Sequence, residues 1–319
     1  MNPPQTFLTP ILSDLSKVES RMRALDTRHH RELANALEHL LSSGGKRIRP
    51  AVALLTGKMY RGDIQRLISL SAAIELLHTA TLVHDDLIDG ALLRRGIATL
   101  NAKWSPAATV LTGDYIFAQA ALCAAETDSV YLMKQFAKTL GIIVNGEIDQ
   151  LFSTHRYSTR EEYFQRIYAK TASLFELASS AAAHLSGVSE DEVECMRRFG
   201  YALGMAFQIV DDILDFTGVQ ETMGKPVAND LRQGLITLPF ICYLEKHPED
   251  EEVQAVLSGE KANIDKLVSE IRASGAVQDA FQIARDYVRE AVSILEGRPA
   301  CVERRALIEL SEYVIMRHI

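Results

Sequence analysis

Apolar residues recur along most of the chain at every third or fourth position, the spacing that places them on one face of an α-helix. Leu33, Leu37 and Leu40 show this spacing, and the serines and glycines at 42–45 provide a helix stop signal. No series of strands with period-two alternation is found. The pattern predicts helices at 11–41, 51–60, 64–89, 107–126, 129–152, 160–186, 189–216, 235–246, 249–257, 262–273, 276–295 and 300–317.

The hydrophobic pattern also bears on domain organisation. The predicted helix 64–89 is apolar almost all round, which is typical of a helix buried in the middle of a large fold. A length of 319 residues allows about two domains, but no linker rich in Pro, Gly or Ser divides the chain. We therefore expect one large all-α domain over 1–319, with 1–10 as a flexible N-terminus.

Charge and cysteine content exclude several classes of protein. The chain has 42 Asp and Glu against 34 Lys and Arg, a net charge of −8, whereas nonspecific nucleic-acid binding needs a basic surface. The four cysteines form no CxxC pair, so reduced thiols are expected. No signal peptide and no uncharged apolar run of about 18 residues is evident. A cytoplasmic protein without a transmembrane segment and without a nucleic-acid partner is expected.

Two copies of a D-D-x-x-D motif interrupt apolar helices. Their members are Asp85, Asp86 and Asp89 in the first motif and Asp211, Asp212 and Asp215 in the second. Unpaired buried carboxylates are costly, so such stripes persist only when they face water or bind cations. A solvated helix face would explain one motif, but it explains two motifs in apolar helices poorly. Carboxylate oxygens suit Mg²⁺ or Mn²⁺, and the motifs predict a divalent metal site.

Basic residues cluster near the acidic motifs and indicate a phosphate ligand. Residues 44–50 place a glycine pair and three cations at a helix start, where backbone N–H groups and the helix dipole favour an anion. Further candidates are Arg94, Arg95, Lys170, Thr171 and Lys225. Each alone would be a solvated surface residue. Together they predict a site that binds diphosphates both through metal ions and directly.

Motifs along nearly the whole chain carry a family resemblance. They are GGKRIRP (44–50), LLHTATLVHDDLID (76–89), LLRRG (92–96), LTGDY (111–115), KTA (170–172), FQIVDDILDFTG (207–218) and GKPVANDLRQGLITLP (224–239). In this order they resemble the trans-isoprenyl diphosphate synthases, or polyprenyl synthetases, of the medium- and long-chain type. The resemblance implies the isoprenoid synthase fold, a single all-α domain with helices around a central cavity, assembled as a homodimer.

The resemblance also implies an activity and its residues. The expected enzyme is a prenyltransferase that condenses isopentenyl diphosphate head-to-tail with an allylic diphosphate, using three Mg²⁺ ions, with Mn²⁺ as an alternative. The implied metal-site residues are Asp85, Asp86, Asp89, Asp211, Asp212 and Asp215. The residues implied to contact the allylic diphosphate are Arg94, Lys170, Thr171, Gln208 and Lys225. Those implied to bind isopentenyl diphosphate are Lys46, Arg49, His78 and Arg95. The expected catalytic set is Asp85, Asp89, Arg94, Lys170, Asp211 and Lys225.

One position departs from the family pattern. The family commonly places Lys where this chain has Leu235 in GLITLP, which would remove one direct phosphate contact. Arg232, one helical turn earlier, is a candidate replacement. Because every metal-site carboxylate is present, the departure does not imply an inactive protein.

Product length is predicted from the residues that precede the first motif. In the family, the residue five positions before the first Asp of the motif often forms the floor, or closed end, of the elongation pocket. Here that residue is the small Ala80. Leu76 and Leu77, one turn deeper, are candidate second floors. Each added isoprene unit buries about five carbons, worth about 4 kcal/mol, so an open tunnel favours C20 or longer products, about C30–C50. Such a lipophilic product would be handed to a membrane.

Three alternatives remain at the level of sequence. His84 and Asp85 form an HD doublet, as in HD-type metal phosphohydrolases, but no matching pattern of other His and Asp residues accompanies it. A non-catalytic or partner-requiring subunit of a heteromeric synthase would usually have lost an acidic motif. A terpene cyclase needs one diphosphate substrate, whereas the basic motifs here suggest two.

Overall fold

The structure is a computed structural model that describes residues 6–24, 30–42, 45–94, 96–152, 159–218 and 227–316. A 3₁₀ helix spans Thr6–Ile11. The helices of the first half are α1 (Leu12–Arg23), α2 (Arg31–Ser42), α3 (Ile48–Met59), α4 (Ile64–Ile88), α5 (Leu100–Lys103), α6 (Pro106–Ala125) and α7 (Val130–Phe152). A short antiparallel pair, β1 (Leu93–Arg94) and β2 (Ile97–Ala98), lies between α4 and α5.

The second half of the described chain is also helical, as predicted. A π-helical turn (Tyr168–Ala172) directly joins α8 to α9. The helices are α8 (Arg160–Ile167), α9 (Ser173–Leu185), α10 (Glu190–Thr217), α11 (Asn229–Arg232), α12 (Leu238–Leu244), α13 (Glu251–Ser258), α14 (Ile264–Ala273), α15 (Ala276–Glu296) and α16 (Val302–Met316). The expectation of an all-α fold is confirmed.

Local sequence signals begin the helices that carry the motifs. The side chain of Asp63 accepts hydrogen bonds from two backbone N–H groups in the first turn of α4, which satisfies donors that the helix leaves unpaired. At α8, Thr159 and Glu162 form a reciprocal capping box. Ser189 caps α10 by accepting from the N–H of Glu192. These caps fix where the helices begin and therefore which residues share a face.

The core is built around two long helices, α4 and α10. α4 packs against α3 and α6, and α10 packs against α9 and α15. The interior stretch Leu70–Leu77 of α4 is buried on every side, which confirms the prediction from its all-round apolar pattern. The acidic motifs therefore begin on helices whose remaining lengths are anchored in the core.

Two glycines let helices approach the π-helical turn closely. A Cβ at Gly146 of α7 would lie 2.5 Å from the Cβ of Ala169, and one at Gly204 of α10 would lie 2.5 Å from the Cα of Ala172. Both distances are far below van der Waals contact. α7 and α10 therefore press on this turn from two sides and hold the residues between 169 and 172 in place.

Three of the predicted helices are divided, distorted or shortened in the structure. The stretch 11–41 forms two helices, α1 and α2, with residues 25–29 outside the described ranges. The predicted helix 160–186 changes to π geometry for one turn in its middle. The predicted helix 235–246 starts only at Leu238, because Pro239 is favoured at a first turn and disfavoured in a helix interior.

Among the described residues, two helices, α4 and α6, are long and apolar enough to cross a membrane by length and composition alone. In α4, 67% of the most apolar window is buried in the fold, which is the behaviour of a core helix, whereas in α6 the buried share is 39%. The remaining apolar surface of α6 faces outward.

Candidate active site

The first acidic motif lies at the C-terminal end of α4. Asp85 and Asp86 are in its last turn, and Asp89 follows directly as the C-cap residue. The backbone N–H of Asp89 donates to the carbonyl oxygen of Asp85, so helical geometry continues to the last aspartate. Asp86 is buried, Asp85 is half-buried and Asp89 is exposed. The motif thus runs from the edge of the core to the surface.

Asp86 forms an ion pair with a side chain of the protein, that of Arg94. The Nε of Arg94, in β1, donates to its Oδ1 at 2.8 Å. Burial raises the pKa of Asp86, and the neighbouring guanidinium opposes that rise. The β1–β2 pair, which the sequence did not predict, positions Arg94 beside the motif.

Asp85 faces a charged pair from two other elements. Lys170 of the π-helical turn donates to Glu147 of α7 at 3.0 Å, and both charges act on Asp85. Burial raises the pKa of Asp85 to about 7, while Lys170 opposes the rise and Glu147 and Asp89 add to it. The first motif and Lys170 are therefore neighbours in the fold.

The second acidic motif lies in the last two turns of α10. Asp212 is buried and accepts two hydrogen bonds, from the hydroxyl of Tyr163 on α8 and from Nε2 of Gln208, each at 2.7 Å. Burial raises the pKa of Asp212 to about 7, and these two hydrogen bonds oppose the rise. Its two oxygens are thus bound within the protein.

The other two members of this motif differ in exposure. Asp215 is buried and accepts the backbone N–H of Asp230 at 3.1 Å, at the start of α11. The N–H of Ala228 donates to its carbonyl oxygen at 2.8 Å. Asp211 is half-buried. Asp215 therefore fixes the start of α11, at residues 228–230, against α10.

The π-helical turn connects the two motifs. Lys170 acts on Asp85 of α4, and the hydroxyl of the next residue, Thr171, donates to Oε1 of Gln208 on α10 at 2.6 Å. A single π turn within an α-helix is frequent at functional sites. Predicted residues from four separate segments of the sequence are thus brought together around this turn.

The basic segment at 45–49 lies against α9 and α10. The guanidinium of Arg49 stands 4.9 Å from the ring centre of Phe175 and 5.8 Å from that of Phe207, within the range of a cation–π interaction. Because Phe207 precedes Gln208, this places Arg49 beside the second motif helix. Lys46 is exposed, 5.8 Å from the ring centre of Tyr313 on α16.

His78 lies on α4, seven positions before Asp85, and is half-buried. Outside the described residues lie Gly44 of the predicted basic segment and two predicted substrate-binding residues, Arg95 and Lys225. Their expected contacts with substrates stay predictions. The HD doublet has a local explanation, since Nε2 of His84 lies 3.2 Å from the carbonyl oxygen of Val110 and 3.5 Å from Asp114.

The position that departs from the family, Leu235, is half-buried after α11. Arg232 donates through Nε to the carbonyl oxygen of Val227 at 3.0 Å and pairs with Asp265. In this conformation its guanidinium is engaged by neighbours on α14 and the preceding turn. Its role as a replacement phosphate ligand stays a prediction.

The predicted chain-length residues lie inside the fold. Ala80, Leu76 and Leu77 are fully buried on α4, between the first motif and the core. Two surface grooves of about 410 and 560 Å³ lie instead along α15 and α16 and contain none of the predicted site residues.

Two residues at the site were not predicted from the sequence. Glu147 binds Lys170, and Tyr163 binds Asp212. Glu147 offered only a weak signal, as one of the few carboxylates of a mainly apolar helix. For Tyr163 the sequence has no signal, because its partner is on a distant helix.

The donor chemistry of the site suits a hard divalent cation. Asp85, Asp89 and Asp211 offer carboxylate oxygens at the ends of two helices. Within the described ranges no three His, Cys, Asp or Glu side chains are grouped to hold one ion. Carboxylate oxygens are the protein donors that Mg²⁺ usually takes, one or two at a time, together with waters and substrate phosphates.

Comparison with known proteins gives the same family over most of the chain. The polyprenyl synthetase family model matches residues 30–273. The chain is 37% identical over 307 residues to heptaprenyl diphosphate synthase component 2 of Geobacillus stearothermophilus, covering 94% of this chain and 95% of that one. It is 34% identical over 318 residues to the all-trans-nonaprenyl-diphosphate synthase (geranyl-diphosphate specific) of Rhodobacter capsulatus, covering 98% of each.

Solved structures agree with these matches. The crystal structure of polyprenyl synthase from Caulobacter crescentus, complexed with calcium and isoprenyl diphosphate, superposes with a TM-score of 0.89. It is 34% identical in sequence and covers 100% of this chain and 99% of that one. With two acidic motifs on an all-α scaffold, the chain belongs to the polyprenyl synthetase family and is a prenyltransferase with the isoprenoid synthase fold.

Proposed function

We propose that the chain is a trans-polyprenyl diphosphate synthase, which condenses isopentenyl diphosphate with an allylic diphosphate in the presence of Mg²⁺. The observation that carries the proposal is the π-helical turn between the two motifs: Lys170 interacts electrostatically with Asp85, and Thr171 donates to Gln208, which in turn donates to Asp212. This arrangement joins both acidic motifs around one cationic turn, as binding a metal-complexed diphosphate requires. The chain would act as one catalytic domain.

The aspartates divide into two proposed roles. Asp85, Asp89 and Asp211 are proposed to hold the ions, because their carboxylates are half-buried or exposed at the C-terminal ends of α4 and α10. Asp86, Asp212 and Asp215 are proposed to orient the site, since Arg94, Tyr163 with Gln208, and the backbone of Asp230 bind them. When bound, the ions would offset the negative charge that develops on the departing diphosphate.

The basic residues are proposed to bind the two diphosphates. Arg94, Lys170, Thr171, Gln208 and Lys225 are assigned to the allylic diphosphate, and Lys46, Arg49, His78 and Arg95 to isopentenyl diphosphate. The allylic C–O bond breaks and both electrons leave with the diphosphate. The double bond of isopentenyl diphosphate then attacks the allylic cation, and the proton lost from the adjacent carbon passes to the released diphosphate. No protein nucleophile is needed.

We propose a product of C20 or longer. The named activities of two relatives, heptaprenyl and nonaprenyl diphosphate synthesis, and the small side chain of Ala80 support a long product. Ala80 lies on α4 between Asp85 and the buried leucines 76 and 77. A chain growing from the first motif along α4 would therefore meet Ala80 before those leucines.

The proposed assembly is a cytoplasmic homodimer through α6. Leu111 and Leu122 are 67% and 51% exposed and, at a spacing of three helical turns, share one face with Ala118. Exposed apolar faces of this kind mark interaction sites. The specific alternative is a heteromer, because one relative bears the name component 2. In that case the same face would bind a second, different subunit.

The direct test is incubation of the purified chain with radiolabelled isopentenyl diphosphate, Mg²⁺ and each of three allylic primers, followed by chromatographic sizing. Chain elongation that EDTA abolishes is expected. Elongation only after adding a second protein would establish the heteromeric alternative. Absence of diphosphate release in every combination would contradict the proposed function.

A further inference from the structure

Arg47 lies between two residues assigned to isopentenyl diphosphate, Lys46 and Arg49, yet its own side chain points into the protein. Its Nη1 donates to Oε1 of Glu75 on α4 at 2.8 Å, and its Nε donates to Oε1 of Glu19 on α1 at 3.1 Å. Its Nη2 donates to a backbone carbonyl at the end of α2, at 3.3 Å. One guanidinium thus ties three helices to the start of α3.

The backbone of Arg47 is in an uncommon conformation. Its φ of 48° and ψ of 34° place it in the left-handed region, which is sparsely populated by residues with a Cβ. Such a conformation persists when the surroundings over-determine it. Here the carbonyl oxygen of Arg47 accepts the N–H of Ala51 in the first turn of α3 at 3.0 Å, so the strained residue is also the N-cap of that helix.

Glu75 is the buried half of this arrangement. Its side chain is 8% exposed and that of Arg47 is 14% exposed, whereas that of Glu19 is 44% exposed. Removing one partner of a buried pair leaves an uncompensated charge. Glu75 is also one helical turn before His78 on α4, on the same side of the helix. The pair therefore connects the turn of Lys46 and Arg49 to the helix of His78.

We propose that Arg47 and Glu75 are positioning residues for isopentenyl diphosphate. They do not touch the substrate. They hold the left-handed turn that orients Lys46 and Arg49, and they fix that turn against the helix that carries His78. The assignment of those three residues to isopentenyl diphosphate rests on the proposed function.

The test compares substitutions at the pair with one at its exposed partner. In Glu75→Gln and Arg47→Lys, the KM for isopentenyl diphosphate is expected to rise about tenfold or more. The KM for the allylic primer and kcat at saturating substrate are expected to stay within about twofold. The control Glu19→Gln, which removes the charge of the exposed partner of the same guanidinium, is expected to leave both KM values within about twofold.

A double-mutant cycle separates positioning from general stability. The effects of Arg47→Lys and Glu75→Gln on the KM for isopentenyl diphosphate are expected to be non-additive, because the two residues act through one contact. Equal rises in both KM values, or a lowered Tm with unchanged KM values, would overturn the proposal.

Direct binding keeps this test independent of turnover. Isopentenyl diphosphate alone, titrated calorimetrically in EDTA, is expected to bind Glu75→Gln about tenfold more weakly than wild type. Equal affinity of the two proteins would contradict the positioning role even if the wild type condenses substrates. A third outcome separates the two proposals. If Glu75→Gln no longer binds isopentenyl diphosphate but the wild type does not condense its substrates, the positioning role of Arg47 and Glu75 stands and the proposed reaction is wrong.

Discussion

The aspartates of the two acidic motifs differ in what their carboxylate oxygens contact. Asp86 binds Arg94, and Asp212 binds Tyr163 and Gln208, whereas Asp89 is exposed at the end of α4. In sequence the two D-D-x-x-D motifs are equivalent, so the pattern alone does not distinguish their members. Their different partners support the proposal that some members bind the metal ions and others orient the site.

Replacing a proposed metal ligand is expected to remove most of the activity. Asp85→Asn or Asp211→Asn removes a carboxylate charge from the site, and kcat is expected to fall at least about 10²–10³-fold. Steady-state diphosphate release measures this. Asp149→Asn, an exposed aspartate on α7, serves as the matched control with near wild-type rates. Near-normal turnover in either site variant would contradict the metal assignment.

The hydroxyl of Tyr163 is expected to support both stability and the second motif. Tyr163→Phe leaves an oxygen of the buried Asp212 without its donor, and the free energy of unfolding is expected to fall by about 1–3 kcal/mol. Urea denaturation measures the loss. Tyr131→Phe, which removes a half-buried hydroxyl on α7, is the comparison. An unchanged unfolding midpoint in Tyr163→Phe would mean that this hydrogen bond contributes nothing.

Residue spacing predicted part of this site and could not predict the rest. The stripe formed by Gln208, Asp211, Asp212 and Asp215 follows from helical periodicity, because all four lie on one helix. The pairing of Lys170 with Glu147 depends on how α7 packs against the π-helical turn. The pairing of Tyr163 with Asp212 likewise depends on how α8 packs against α10. Contacts between helices leave no local signal in the sequence.

The helices were predicted well where apolar spacing is continuous and capped, as for α4, α7 and α10. The break between α1 and α2 was not predicted, although the polar run 26–32 interrupts the apolar spacing there and was a signal for it. The π-helical turn was also missed, since one additional residue per turn scarcely alters the apolar pattern. The short β1–β2 pair is too brief for a period-two signal.

Two glycines of α7 provide a test of how tightly the helices pack. Gly146→Ala places a Cβ 2.5 Å from that of Ala169, and overpacking is expected to cost about 1–3 kcal/mol of stability and to lower activity by displacing Lys170. Gly141→Ala meets no atom within 4 Å and is expected to stabilise the helix by about 0.5–1 kcal/mol. Thermal unfolding of both variants measures the contrast. Equal Tm values would show that close approach at Gly146 is not required.

At the scale of the whole molecule, the packing of α4 against α6 would bring the proposed elongation pocket close to the proposed dimer interface. The two helices pack against each other, with the buried Ala80 on one and the exposed Leu111 and Leu122 on the other. Family motifs predicted the fold and the reaction. They did not determine product length, because that depends on the volume left among buried side chains.

A bulky residue at position 80 is expected to shorten the product. Ala80→Phe would fill the space that a growing chain enters, whereas Ala80→Ser keeps nearly the same volume and is expected to leave the length unchanged. Reverse-phase chromatography of dephosphorylated products measures the length. Identical product lengths in wild type and Ala80→Phe would reject the floor assignment.

Charge on the exposed face of α6 is expected to weaken the proposed dimer. Leu111→Glu would place a carboxylate in a buried interface, and sedimentation velocity is expected to show monomers at micromolar concentration. Leu12→Glu, on an α1 position that is 58% exposed, is the control. A Leu111→Glu protein that sediments like the wild type would exclude this face.

The π-helical turn has a consequence for the rotational phase of the helices that it joins. An α-helix advances about 100° per residue, so the extra residue of the π turn offsets the faces of α8 and α9 by about that angle. The offset lets Tyr163 meet Asp212 while α9 keeps its own buried face. Deletion of one residue from Tyr168–Ala172 would preserve a continuous helix but rotate Tyr163 away from α10. A family member lacking that residue would need another donor for its second acidic motif.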